Sequence, residues 1–143
     1  MLRTALMAAA ILMTAGTARG DGGKVVASRS SGDVQVTVFL APIPPRAGTV
    51  DVSVLVQHAQ TGQVIEPARV LVRRRPARSA EPPITRQATR EAATNKLLRA
   101  AEIELPRPGE WELGVLVATD SGSHETQFVV VAGEPLPRLV ELA

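Results

Sequence analysis

The chain of 143 residues contains no cysteine and no tyrosine, and its aromatic residues are two Phe and one Trp. Without cysteine it can form no disulfide, zinc–thiolate site or cysteine nucleophile. It also lacks the tyrosine corner and the inter-sheet disulfide that are typical of antibody domains. A folded domain of this composition must therefore be stabilised by an aliphatic core.

The first 20 residues have the pattern of a secretory signal peptide. Arg3 precedes an apolar run of about eleven residues, 5–15, which ends in the small residues of segment 15–18. This run is much shorter than the roughly 20 residues of a membrane-spanning helix. We predict that residues 1–20 are a cleavable signal peptide, that the mature chain has no transmembrane helix, and that the protein is exported to the periplasm or the extracellular space.

The charges of the chain cancel after the leader. The formal net charge is +2, but two of the 16 basic residues, Arg3 and Arg19, lie in the leader, which leaves 14 of each sign. A neutral mature chain excludes nucleic-acid binding, which needs an excess of cations. Segment 66–100 has nine basic and three acidic residues, whereas segment 101–143 has two and eight. These segments either form cross-strand ion pairs or make a dipolar docking surface.

Apolar residues recur at every second position, which is the period of a half-buried β-strand. Proline- and glycine-rich segments separate the runs and mark turns. The segment 93–100 is the one place where a short helical turn is plausible, with Leu97 or Leu98 reaching the core. The predicted strands cover residues 34–40, 50–56, 68–75, 84–90, 101–105, 110–119 and 124–132.

The clearest hairpin signal joins the last two strands through a turn at residues 120–123. Pairing of Thr119 with His124 would make one face of this hairpin almost wholly apolar. Leu116, Val129 and Val131 would lie on its reverse face, where they form a candidate docking patch. The other predicted pairs are Trp111–Ala132, Leu113–Val130, Val115–Phe128 and Val117–Thr126.

These elements predict an all-β fold, an antiparallel immunoglobulin-like β-sandwich of seven or eight strands over residues 21–134. Its core would be mostly valine and leucine around Trp111, Phe39 and Phe128. The segment 135–143 is predicted to be an irregular C-terminal tail.

Few residues of the mature chain can carry chemistry. His58 and His124 fall at strand ends, where they are either unliganded or share a metal ion if they occupy the same rim. Asp51 lies about 23 Å from His58 on an extended strand, which is too far for a catalytic pair. The cluster around Ser121 has the composition of a hairpin turn. We predict no catalytic residue, no resident cofactor and no enzymatic activity.

The run Arg73-Arg74-Arg75 is the most concentrated charge in the sequence. It could grip a carboxylate or an anionic lipid head group. Alternatively, arginines at a strand end, followed by Pro76, discourage edge-to-edge pairing of sheets. We favour this second, structural interpretation.

The segment 93–100 and the Pro108-Gly109-Glu110-Trp111 turn that enters a valine-rich strand resemble the YtkA-like and FixH-like extracytoplasmic families of bacteria. The resemblance implies a small immunoglobulin-like sandwich, secreted or membrane-tethered, of the kind often associated with metal transport or respiratory-complex assembly. Copper-binding relatives use an N-terminal histidine or methionine clusters, which this chain lacks. We therefore expect a non-enzymatic domain that engages a protein or envelope component; the alternative is a copper-type accessory protein using His58 and His124.

Overall fold

The computed structural model describes residues 23–67 and 69–137, which form eight β-strands and no helix. No helix among these residues is therefore long and apolar enough to cross a membrane. The predicted signal peptide and residues 138–143 of the predicted tail lie outside the described residues. The strands are β1 (Lys24–Ser31), β2 (Val34–Ala41), β3 (Gly48–His58), β4 (Arg69–Pro76), β5 (Ile84–Gln87), β6 (Arg99–Leu105), β7 (Gly109–Thr119) and β8 (Gly122–Ala132).

The strands form two four-stranded antiparallel sheets, in the orders β1-β2-β3-β6 and β5-β4-β7-β8. Strands β2, β3 and β6 correspond to A, B and E of an immunoglobulin domain, and β5, β4, β7 and β8 to C′, C, F and G. The predicted fold class is confirmed. Strand β1 is an addition at the edge of the first sheet and was not among the predicted strands.

The two sheets face each other across a core of aliphatic side chains. Burial alternates along β2, where every second residue from Val34 to Leu40 is almost fully buried. Strands β3, β4 and β7 contribute further valines and leucines, and Trp111 is the largest fully buried side chain. The prediction that Phe39 belongs to this core is wrong, because Phe39 lies on the opposite face of β2 from Val38 and Leu40. Phe128 packs against the core but is only partly buried.

The β7–β8 hairpin has a tighter turn than the sequence suggested. Thr119 pairs with Gly122 rather than with His124, so Asp120 and Ser121 form the whole loop, and Trp111 faces Val130 rather than Ala132. Gly122 begins the strand with a φ of +125°, a conformation open to glycine but not to other residues. The predicted register is thus wrong by two residues. Because side chains alternate with a period of two, the predicted faces of the hairpin are unchanged.

The segment 89–98 folds over the outer face of the β1-β2-β3-β6 sheet without forming the predicted helical turn. Its carbonyls are satisfied locally, since the Lys96 ammonium donates to the Ala93 carbonyl at 2.6 Å and to that of Arg90 at 3.2 Å. Leu98 is buried there with Ala93, against Phe39. This small cluster lies outside the sandwich core, so Leu98 covers part of the outer face of the sheet.

The two adjacent leucines provide a matched test of this arrangement. Leu98 is 5% exposed and Leu97 is 61% exposed. We expect Leu98→Ala to lower the free energy of unfolding by about 2 kcal/mol, because it leaves a cavity in a small cluster. Leu97→Ala should change it by less than about 0.5 kcal/mol. Urea unfolding of both variants measures the difference, and equal effects would contradict the placement of Leu98.

Candidate binding surface

Ion pairs between strands cover the outer face of the β5-β4-β7-β8 sheet. Arginines of β4 and the following turn meet glutamates of β7 and β8 across this face. The pairs are Arg73–Glu125 at 3.3 Å, Arg75–Glu112 at 2.9 Å and Arg78–Glu110 at 2.8 Å. The basic and acidic segments of the sequence therefore pair with each other, as the first of the two explanations predicted.

The prediction that the arginine run at 73–75 discourages edge-to-edge pairing of sheets is wrong. β4 is an interior strand between β5 and β7, so these arginines do not guard a sheet edge. Arg74 lies over the Trp111 ring, 5.2 Å from its centroid, and Arg107 lies 5.1 Å from it. The Trp111 Nε1–H donates to the Arg107 carbonyl at 2.9 Å. Arg74 and Arg107 thus lie against the ring of the buried tryptophan.

A shallow depression lies over Gly114, which has no side chain to fill the outer face. Arg73, Arg75, Glu112 and Glu125 are among the residues that line it. Both guanidinium groups already face a carboxylate. The pairing neutralises two of the three arginines that line the depression, and the third, Arg74, lies against the Trp111 ring.

The predicted apolar patch on the reverse face of the hairpin is divided in two. Val129 and Val131 are 58% and 63% exposed and lie on the outer face of β8. Leu116 is half-buried and pairs with Leu71 of β4. The Gly114–Gln127 pair lies between Leu116 and Val129 along the strands. The docking candidate is therefore the pair Val129 and Val131, which we call the β8 valine pair.

The two histidines lie at the same end of the sandwich, on either side of the β7–β8 turn. His58, at the end of β3, is exposed and lines a depression with Asp33, Asp120 and Ser121. His124 is partly buried in β8 and lines a different depression, with Arg29 of β1. The structure therefore brings the histidines to one rim but not into one pocket.

The described residues of the rim do not gather a set of metal ligands. The Nε2 atom of His124 lies 3.4 Å from the Thr119 hydroxyl and 3.5 Å from that of Ser121. Its Nδ1 atom is buried and has no hydrogen-bond partner in the part of the chain that the structure describes. Over residues 23–67 and 69–137, no three His, Asp or Glu side chains converge as a metal site would require.

The contacts of His124 can also be compared with those of a hydrolytic site. A serine hydroxyl beside a histidine resembles part of a hydrolytic site, and Ser121 and His124 are placed in this way. A working triad also needs an acid that accepts a hydrogen bond from the other ring nitrogen of the histidine. The orphaned Nδ1 of His124 lacks that acid among the described residues. The pair is part of the hairpin turn, where Thr119 also accepts from the Ser121 N–H at 3.2 Å.

Comparison with solved structures places this fold beside one bacterial protein. FetP of uropathogenic Escherichia coli, recombinantly expressed in the periplasm, matches with a TM-score of 0.58 and 9% identity, over 79% of this chain and 95% of that one. A copper-bound variant of FetP matches with the same TM-score and 7% identity, over 79% and 96%. The likeness is one of fold. No protein-family model matches the chain, and no match was found among curated proteins.

The sequence predicted that Val129 and Val131 lie on the reverse face of the hairpin, but it did not predict the residues that surround them. The ion pairs beside them form because β4 is the neighbour of β7, and the pattern of apolar residues in the sequence does not predict strand order. The opposite charges of segments 66–100 and 101–143 were the available signal. Combined with a β4–β7 pairing, this signal would have predicted Arg75 opposite Glu112.

Proposed function

We propose that the protein is an exported, non-catalytic accessory domain, of the YtkA-like and FixH-like kind, that binds a protein component of the cell envelope. The observation that carries this proposal is the β8 valine pair. Two adjacent outward valines, each more than half exposed, lie on a long, regular edge strand. Neighbouring exposed apolar side chains rimmed by polar residues are a feature of interaction surfaces, and the β8 valine pair is a small example.

Export is supported by the signal-like leader. The fold likeness to FetP, which was expressed in a periplasm, is consistent with it. A non-catalytic role is supported by the rim, where His124 lacks an orienting acid among the described residues.

The second candidate is a copper-type accessory protein. The copper-bound FetP variant shares the fold, and His58 and His124 lie at one rim of the sandwich. The donor chemistry favours the first proposal, since one histidine presents its Nε2 to two hydroxyls and has its other nitrogen buried. An exposed imidazole such as His58 alone binds metal only weakly.

Metal titration separates the two candidates. A ligand that binds the folded state selectively must raise the melting temperature. We expect Cu(II) and Zn(II), added in modest excess to the mature chain, to leave the melting temperature unchanged. The His58→Ala and His124→Ala variants give the background from adventitious sites. A rise that disappears in both variants would favour the metal function.

Photocrosslinking tests the binding function. A photoreactive phenylalanine analogue at Val131 should yield one discrete adduct with an envelope protein in cells that express the full chain. The same analogue at Leu97, which is equally exposed on the other sheet, is the matched control and should yield none. Adducts of equal pattern from both positions, or from neither, would count against a specific surface at β8.

A further inference from the structure

The sandwich has four edge strands, and three of them carry features that oppose pairing with another chain. β1 contains a bulge between Val25 and Ala27. β5 has only four residues and follows Pro82 and Pro83. β6 is joined at Ala100 to Thr89, through two backbone hydrogen bonds of 2.9 Å. Bulges, short strands, prolines and covering loops are the means by which proteins protect sheet edges.

The fourth edge, β8, has none of these features within its own strand, and the covering segment 45–47 bonds only to Gly133 just beyond it. It runs for 11 residues, Gly122–Ala132, in unbroken register with β7. It contains no proline and no lysine. Such an edge, long and with exposed valines, is open to a further strand.

The contact at Gly133 shows in which direction the backbone N–H and C=O groups of β8 point. The Gly133 N–H donates to the Pro45 carbonyl, and the Gly133 carbonyl accepts from the Ala47 N–H, both at 2.9 Å. These groups point away from β7, and they show that this edge pairs with extended backbone. Backbone groups alternate in direction along a strand, so those of residues 123, 125, 127, 129 and 131 point the same way. Over the described residues, β8 has no other strand partner on this side.

The space beside this edge is open at its first half. A depression separates β1 from β8, lined by Arg29 and Ser31 on one side and by Ser123, Glu125 and Gln127 on the other. β1 packs beside β8 along part of this edge. At the depression itself, an extended segment would meet the outward N–H and C=O groups of residues 123, 125 and 127.

The charge of the β7–β8 hairpin indicates which residue types a bound segment should carry. Residues 109–132 include four acidic residues and no lysine or arginine. Three glutamates of the hairpin meet arginines from β4 and its turn, whereas Asp120 has no ion pair among the described residues. Arg29 of β1 also lines the depression beside this edge. Glu134 follows the other end of the edge and is likewise without an ion pair there. An occupant with basic residues at its ends and β-branched residues between them is complementary to this edge.

A second copy of the chain is a poorer occupant. In an antiparallel β8–β8 pairing centred on residue 127, 128 or 129, Glu125 would face Val129, Val131 or Gly133 of the other copy. None of these pairings gives the glutamate an opposite charge. Self-association through this edge would therefore place Glu125 opposite an apolar residue or glycine and add no new ion pair.

We propose that the β8 edge binds an extended, basic-flanked segment of the partner protein by strand addition, so that this segment becomes the fifth strand of the β5-β4-β7-β8 sheet. The proposal rests on the proposed binding function and names its mode and the chemistry of its partner. Free backbone groups supply the affinity, the β8 valine pair contacts alternate apolar side chains, and Asp120 and Glu134 attract the basic ends.

The probe is a blocked synthetic peptide, Lys-Val-Thr-Val-Thr-Val-Lys, added to isotope-labelled mature chain. In the free protein, the amides of residues 125, 127, 129 and 131 should exchange rapidly with solvent, while those of 124, 126, 128 and 130 are protected by β7. The peptide should slow the exchange of the first set. Versions with glutamate for lysine, or proline for the central valine, should bind at least about tenfold more weakly.

Two protein variants block the edge by different means. Gln127→Pro removes an outward donor without removing a bond to β7, a position where edge strands tolerate proline. Val129→Lys places a charge beside the edge, and Leu97→Lys is its matched control. Thermal unfolding confirms that each variant is folded. Each edge variant should weaken peptide binding about tenfold or more, and the control should not.

Equal binding by the native chain and both edge variants would overturn strand addition, as would unchanged amide exchange in the presence of the peptide. Light scattering that shows a dimer lost in Gln127→Pro would overturn it in favour of a second copy. Photocrosslinking from Val131 in the Gln127→Pro chain separates this proposal from the binding function. An adduct retained there means that the partner binds by another mode, whereas no adduct from either chain means that the binding function itself fails.

Discussion

The whole structure depends on the burial of aliphatic side chains between two sheets. With no disulfide and few aromatic rings, the fold has no other large source of stability. Valines and leucines at every second position of β2, β3, β4 and β7 meet in one core. At the end where β4 finishes, Trp111 fills the interior, and Arg74 and Arg107 lie against its ring. The large apolar ring is thereby kept from water while its N–H is satisfied by a carbonyl.

Because the core uses one face of each strand, the outer faces are free to differ. Segment 89–98 partly covers the outer face of the first sheet, and its Leu98 side chain is buried against that face. The outer face of the second sheet carries cross-strand ion pairs and the β8 valine pair. We assign the proposed binding function to the second sheet, where the last strand combines exposed apolar side chains with an outward-facing backbone edge.

For β2, β3, β6 and the β7–β8 hairpin, the sequence predicted which face is buried, because a period of two survives errors in register. The hairpin shows this, since the predicted pairs were shifted by two residues and yet Leu113, Val115 and Val117 face inward as expected. Strand β1 was missed because only its first half is apolar and its partner, β2, lies across a turn at Gly32. The place of β4 inside the sheet could not be predicted, since strand order depends on tertiary pairing. That order decides whether Arg73 and Arg75 guard an edge or pair with glutamates.

Fluorescence of the single tryptophan tests the central claim most directly, because Trp111 is 2% exposed and reports on one site. Acrylamide quenching should be compared for the mature chain in buffer and in concentrated urea. We expect a much smaller quenching constant in buffer, with a large increase that coincides with loss of the β-sheet circular dichroism signal. A tryptophan that is quenched equally in both conditions would contradict the buried core on which every other conclusion rests.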